Sequence, residues 1–167
     1  VGSGSATDCA PGTFNAIAGQ PTCDNCAAGT FQTQSGQTAC LQCTGGNYCA
    51  LGAAAELPCP AGSYSNTPGL DAASTCTACP AGSSCSTGST AAAACAPGTF
   101  TASASARTCD DCSAGTFQTE AGQTACLQCT GGNYCRLGAA AELPCPAGSY
   151  SNTPGLGAAS TCTACPA

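Results

Sequence analysis

Large apolar side chains are few in this 167-residue chain, and they are evenly spaced. An aromatic falls five residues after a cysteine at Phe14, Phe31, Tyr48, Tyr64, Phe100, Phe117, Tyr134 and Tyr150, always in the frame C-x-x-G-x-aromatic. The frame opens at Cys9, Cys26, Cys43, Cys59, Cys95, Cys112, Cys129 and Cys145, and a ninth copy at Cys79 carries Ser84 in the aromatic's place. The other large aliphatics are Val1, Ile17 and eight leucines. Short apolar positions set among Gly, Pro, Ser and Thr predict turns and very short hairpin strands, with one helical turn over 50–57. In A-P-G-T-F, Pro11-Gly12 and Pro97-Gly98 suit the centre of a type II turn, where proline presets φ and glycine accepts the positive φ that follows. Such a turn would bring each ring back over the sulfur atoms, so that one ring, one disulfide and one turn form the core of each loop. The frames use every aromatic in the chain and leave none for a substrate pocket.

Two periods organise the sequence. The longer is 86 residues, so that Cys9 through Cys79 recur at Cys95 through Cys165, which predicts a first repeat over 1–94 and a second over 95–167. From Cys112 to Leu156 the text nearly copies Cys26 to Leu70, the changes being Ala27/Ser113, Gln34/Glu120, Ser35/Ala121 and Ala50/Arg136. The shorter period is the loop itself, about 17 residues between many of the opening cysteines. The second repeat stops before its last cysteine, so the odd count of 19 cysteines reads as a window on a longer array. Near-identical units suit an array better than an enzyme, whose site needs one asymmetric constellation.

Composition explains why the loops must be stapled. A chain of this length would ordinarily pack a core, but here the 43% hydrophobic fraction is mostly Ala and Cys. So little Leu, Ile, Val and Phe would by itself suggest disorder, which a high cysteine content offsets. The fold class expected is small and disulfide-rich: an elongated tandem array of short cysteine loops, with little regular secondary structure and no central core. Such cysteine usage also predicts an oxidising, extracellular or cell-surface setting. Net charge is −6, with no Lys, no His, and Arg107 and Arg136 as the cations. Nucleic-acid binding and attachment to an anionic membrane are thereby disfavoured, and the sequence contains no membrane-inserting segment.

Sequential pairing is the simplest connectivity: Cys9–Cys23, Cys26–Cys40, Cys43–Cys49, Cys59–Cys76, Cys79–Cys85, Cys95–Cys109, Cys112–Cys126, Cys129–Cys135 and Cys145–Cys162, with Cys165 unpaired. A crossed scheme, Cys40–Cys49 with Cys43–Cys59, strands more cysteines; sequence alone leaves both open. The C-x-x-C pairs Cys23/Cys26 and Cys40/Cys43 also resemble a four-thiolate zinc site with a shortened gap. They recur too regularly, with no cations to offset the thiolates, and no βαβ pattern supports a thioredoxin-like role. No metal or other cofactor is therefore expected.

Without histidine there is no His-based triad or general base, and the acids are scattered. Glu56 and Glu142 share one repeat position, and solvated surface is the reading given to them, as to Asp110-Asp111. No enzymatic activity is expected. Ser and Thr beside Ala, Gly and Pro suit O-linked sugars, at Thr67, Ser86, Thr87, Ser89, Thr90 and Thr153; the same residues also suit the capping of turns.

The runs C-P-A-G-S-Y-S-N-T-P-G-L and T-C-T-A-C-P-A-G, together with the repeated C-A-P-G-T-F, resemble the ephrin-receptor-like cysteine-rich repeat over essentially Cys9 to Pro166. The filler is also similar to that of ciliate immobilisation surface antigens, and more distantly to the cysteine-rich modules of tumour-necrosis-factor receptors. The resemblance implies an extracellular, elongated, non-catalytic tandem module, and the serine in C-P-A-G-S-S-C marks the Cys79–Cys95 segment as a joint. The expected function is structural, as a subunit of a protist or algal cell-surface coat or filament that carries O-glycans and self-associates with neighbouring copies. The alternative is a ligand-binding or adhesive ectodomain of a surface receptor.

Overall fold

The computed structural model describes residues 8–17 and 22–166. The chain divides into two compact units, Val1–Ala78 with Ser86–Ala91, and Cys79–Cys85 with Ala92–Ala167. Cys79–Cys85 thus belongs to the second unit, while the six residues after it belong to the first.

Regular structure among the described residues consists of nine two-stranded antiparallel hairpins, each strand two residues long. In the first unit Thr13–Phe14 pairs with Asp24–Asn25, Thr30–Phe31 with Leu41–Gln42, Asn47–Tyr48 with Leu57–Pro58, and Ser63–Tyr64 with Thr77–Ala78. In the second, Ser83–Ser84 pairs with Ala93–Ala94, Thr99–Phe100 with Asp110–Asp111, Thr116–Phe117 with Leu127–Gln128, Asn133–Tyr134 with Leu143–Pro144, and Ser149–Tyr150 with Thr163–Ala164. We call each hairpin with its loop a tier and name it by its opening cysteine. The first strand is the end of the C-x-x-G-x-aromatic frame. The second is the pair of residues just before the next opening cysteine, which is the x-x of a C-x-x-C in six tiers and follows Glu56, Ala92 or Glu142 in the other three.

The frame glycine makes the hairpin possible. Gly12 has φ 82° and Gly98 φ 85°, and the Thr13 and Thr99 N–H groups close their turns onto the Ala10 and Ala96 carbonyls at 3.0 Å. That is the geometry expected of Pro-Gly at the centre of a type II turn. Thr13 and Thr99 add their hydroxyls to the same carbonyls at 2.7 and 2.8 Å. Each hairpin is too short to be stable alone, and neighbouring tiers satisfy its outer edge. Gly29 N–H donates to the Cys49 carbonyl at 2.7 Å, Gly52 N–H to the Cys26 carbonyl at 2.8 Å, and Phe31 forms a parallel bridge with Ala53. The same three links recur in the second unit as Gly115 to Cys135, Gly138 to Cys112, and Phe117 with Ala139.

The helical turn expected over 50–57 is absent. Gly52 adopts φ 70° in a single turn closed by the Ala53 N–H onto the Ala50 carbonyl at 3.1 Å, and Ala53 then bridges to Phe31 of the preceding tier, so no helix continues. Single 3₁₀ turns occur instead at Ala73–Thr75 and Ala159–Thr161, in the longest loops. Buried apolar residues among those described are cysteines and Tyr134; Phe14, Phe31, Tyr48, Tyr64, Phe100 and Phe117 are half-buried, and Tyr150 is exposed. The fold is small and disulfide-rich, with no closed sheet or barrel among the described residues.

Candidate functional site

The repeated site is the point where each loop closes on its opening cysteine. Nine disulfides do this: Cys9–Cys23, Cys26–Cys40, Cys43–Cys49, Cys59–Cys76, Cys79–Cys85, Cys95–Cys109, Cys112–Cys126, Cys129–Cys135 and Cys145–Cys162. Cys165 is a free, exposed thiol. The bridges span 14 or 17 residues in six tiers and 6 residues in the Cys43, Cys79 and Cys129 tiers.

Two distinct positions supply the closing partner. One lies three residues before the next opening cysteine and holds Cys23, Cys40, Cys76, Cys109, Cys126 and Cys162. The other directly follows the aromatic and holds Cys49, Cys135 and, after Ser84, Cys85. That second position points inward in nearly every tier. Where it is not cysteine it is Gln32, Ser65, Thr101 or Gln118, each buried to 5–6% exposure, or Asn15 or Ser151, which are half-buried. Their polar atoms hold the loop from inside. Gln32 Nε2 donates to the Ala39 carbonyl at 2.9 Å while its Oε1 accepts the Gln34 N–H at 3.0 Å. Gln118 repeats the clasp on the Ala125 carbonyl and the Glu120 N–H at 2.9 and 3.1 Å. Buried polar groups are tolerated because they are bonded in this way.

When the short bridge is used, the first closing position is left to Glu56, Ala92 or Glu142. Both glutamates are half-buried and reach back over the loop. Glu56 Oε1 accepts the Thr44 N–H, and Glu142 Oε1 accepts the Thr130 N–H. Glu142 Oε2 also receives the Thr130 hydroxyl at 3.1 Å and the Asn133 amide at 3.3 Å. The sequence reading treated these acids as solvated surface, and this is corrected: each joins the residue after an opening cysteine to the place a closing cysteine would occupy. Counting back three residues from Cys59 and Cys145 is the signal that aligns them with Cys23 and Cys40.

The hydroxyl positions separate into used and unused. Thr67, Ser86, Thr87, Thr90 and Thr153 are exposed and Ser89 is half-buried. Ser89 Oγ donates to the Ser86 carbonyl at 2.8 Å, whereas Thr87 and Thr90 make no side-chain hydrogen bond among the described residues. Asp110 and Asp111 form the second strand opposite Phe100 and Thr99 and face solvent. Exposed leucines cluster at the residue opposite the ring: Leu41 across from Phe31, Leu57 from Tyr48, Leu127 from Phe117 and Leu143 from Tyr134. Among the described residues no group of three or more His, Cys, Asp or Glu is placed to hold a metal ion, and no helix is long and apolar enough to cross a membrane.

This closing pattern, repeated at an 86-residue interval, corresponds to a known domain family. Residues 12–56 and 98–142, together more than half of the chain, match the family described as tyrosine-protein kinase ephrin type A/B receptor-like. The chain belongs to the ephrin-receptor-like cysteine-rich family. No curated protein matches the chain in a direct search. Each family match begins at a frame glycine, Gly12 or Gly98, and ends at a clamping glutamate, Glu56 or Glu142. Ephrin-receptor-like cysteine-rich repeats with nine disulfides imply an extracellular, disulfide-rich domain.

Proposed function

We propose that this ephrin-receptor-like chain is a non-catalytic structural repeat of an extracellular coat or filament, and that it associates with neighbouring copies. One observation carries the reading. The chemistry-bearing positions recur between the repeats and are taken up by closure: eighteen cysteines in nine bridges, Gln32 and Gln118 in loop clasps, Glu56 and Glu142 in clamps. Among the described residues no single tier gathers a cluster of three or more His, Cys, Asp or Glu placed to hold a metal ion. Substitutions between the near-identical copies support the same view, since Ala27/Ser113, Gln34/Glu120, Ser35/Ala121 and Ala50/Arg136 all fall at exposed positions. The construction of each tier is held constant while its surface varies.

The hydroxyls of Thr67, Ser86, Thr87, Thr90 and Thr153, all at exposed residues, and of half-buried Ser89 are the proposed O-glycan positions, and the sugars would supply hydration that a chain with only 6% charged residues lacks. Sedimentation velocity of the oxidised chain, with intact mass before and after reduction, tests both parts. Concentration-dependent association and a ladder of sugar increments on native material are expected. A bare monomer at high concentration overturns the coat reading and moves weight to a ligand-binding or adhesive ectodomain. The exposed leucines, 41 and 57 in the first unit and 127 and 143 in the second, would then be the candidate ligand contacts of each unit.

A further inference from the structure

The three short bridges differ from the six long ones in shelter. Every long bridge brings one cysteine toward the surface: Cys23 is exposed, and Cys40, Cys76, Cys109, Cys126 and Cys162 are half-buried. In Cys43–Cys49, Cys79–Cys85 and Cys129–Cys135 both residues are at most 1% exposed. Thiol–disulfide exchange requires a thiolate to reach one sulfur, so shelter sets the rate. None of these three tiers has a sulfur at its outer closing position, and in two of them a carboxylate stands there. Glu56 and Glu142 hold that position through charge-assisted hydrogen bonds to Thr44 and Thr130, a class of bond that is stronger than its neutral counterpart.

We infer that the Cys43 and Cys129 tiers are reduction-resistant nodes of the array, in which a carboxylate clamp takes the place of the exposed disulfide that closes their neighbours. Under a dithiol, a reagent thiolate attacks Sγ of a partly exposed closing cysteine such as Cys126. The Cys112–Cys126 bond breaks and a mixed disulfide forms. The reagent's second thiol then displaces the cysteine, so that two electrons pass to the cystine, the protein gains two thiols and the reagent leaves as a cyclic disulfide. At the nodes both cysteines are buried, and the Glu142–Thr130 clamp ties the far end of the 136–142 segment to the residue after Cys129, while Gly138 and Ala139 are held by the preceding tier. The Cys79 tier separates the two contributions, because its bridge is equally buried but Ala92 offers no acceptor.

The test is limited reduction of the oxidised chain by dithiothreitol under native conditions, quenched with N-ethylmaleimide and read by peptide mapping. Cys165 labels without reductant and sets the baseline. The six long bridges should open first, with Cys43–Cys49 and Cys129–Cys135 slower by about tenfold or more, as expected where exchange awaits local opening. Cys79–Cys85 should fall between. Glu142→Ala should bring Cys129–Cys135 to the Cys79–Cys85 rate and leave Cys43–Cys49 unchanged as an internal control. Glu142→Gln, which keeps an acceptor for the Thr130 N–H, should stay close to the unmodified chain. One common rate for all nine bridges, or no acceleration in a folded Glu142→Ala chain, overturns the inference. If Glu142→Ala does not fold, the Glu142→Gln rate and the ranking of Cys79–Cys85 against Cys43–Cys49 decide it.

Discussion

The carbonyl oxygen of Gly155 occupies the place where a side chain on Gly115 would begin: a Cβ built on Gly115 would stand 2.3 Å from it. Gly115 also has φ 88°, so the frame needs glycine twice, for a left-handed backbone and for an uncovered Cα. Gly29 meets Gly69 in the same way in the first unit, at 2.4 Å.

These two requirements separate by mutation. Gly148 has φ 81° but nothing within 4 Å of its added Cβ. Gly148→Ala should cost only the left-handed penalty, about 1–2 kcal/mol. Gly115→Ala adds an overlap with backbone that cannot swing aside, and should cost at least about 3 kcal/mol in total. Denaturation midpoints of the two variants measure the difference. Equal midpoints would show that φ alone explains the glycine.

Gln118 offers a second test. Replacing it with leucine keeps bulk while leaving the Ala125 carbonyl and the Glu120 N–H without their partner. A destabilisation of about 1–3 kcal/mol is expected, the usual penalty for buried groups left unpaired. Hydrogen exchange at Glu120 should accelerate, while the Cys26 tier keeps its protection. Unchanged exchange would mean the clasp contributes nothing.

Arg136 lies over the Tyr134 ring at 5.7 Å from its centroid, and Tyr134 is the one buried aromatic among the described residues. The equivalent Tyr48, with Ala50 in place of the arginine, is only half-buried. Arg136→Ala should lower stability by about 0.5–1 kcal/mol, the range for an exposed cation–π contact. Collisional quenching of tyrosine emission should rise with it. A variant quenched no more than the parent would sink the assignment.

The exposed leucines should carry part of any association between copies. Leu127→Ser with Leu143→Ser removes apolar surface at two positions that are 54% and 42% exposed. The fold should persist, since neither side chain is buried, while sedimentation shifts toward the monomer. Association at the original strength would exclude this surface as the contact.

The sequence revealed the frame and the hairpins more readily than it revealed the second closing position. Phe31 and Gly29 advertise themselves by repetition, because an aromatic and a positive-φ glycine have few substitutes. The residue after the ring is harder to see, since Gln32, Ser65, Thr101 and Cys49 share a burial class and not a chemistry. Only the short span from Cys43 to Cys49 hints that this position faces inward. The Glu56 and Glu142 clamps were hidden for a related reason: an acid in a polar loop looks solvated until the register is counted from the following cysteine. The 3₁₀ turn at Ala73–Thr75 has no local signature, because it is three residues long and its Ser and Thr offset the helix preference of its Ala. The C-x-x-C spacing that resembled a metal motif arises because two residues are what a minimal strand needs. Asp24–Asn25 and Leu41–Gln42 fill it.

Each C-x-x-C serves two tiers at once: Cys23 ends one loop, Cys26 starts the next, and the strand between them completes the earlier hairpin. The seam therefore looks the same wherever it occurs. A gene segment copied or lost between any two such seams leaves every hairpin with both its strands and every bridge with both its sulfurs. Growth by whole tiers is then nearly neutral to folding, whereas an insertion between an opening cysteine and its aromatic is not. The 86-residue duplication in this chain is one outcome of that rule, and variation in loop length is confined to the stretch beyond the ring.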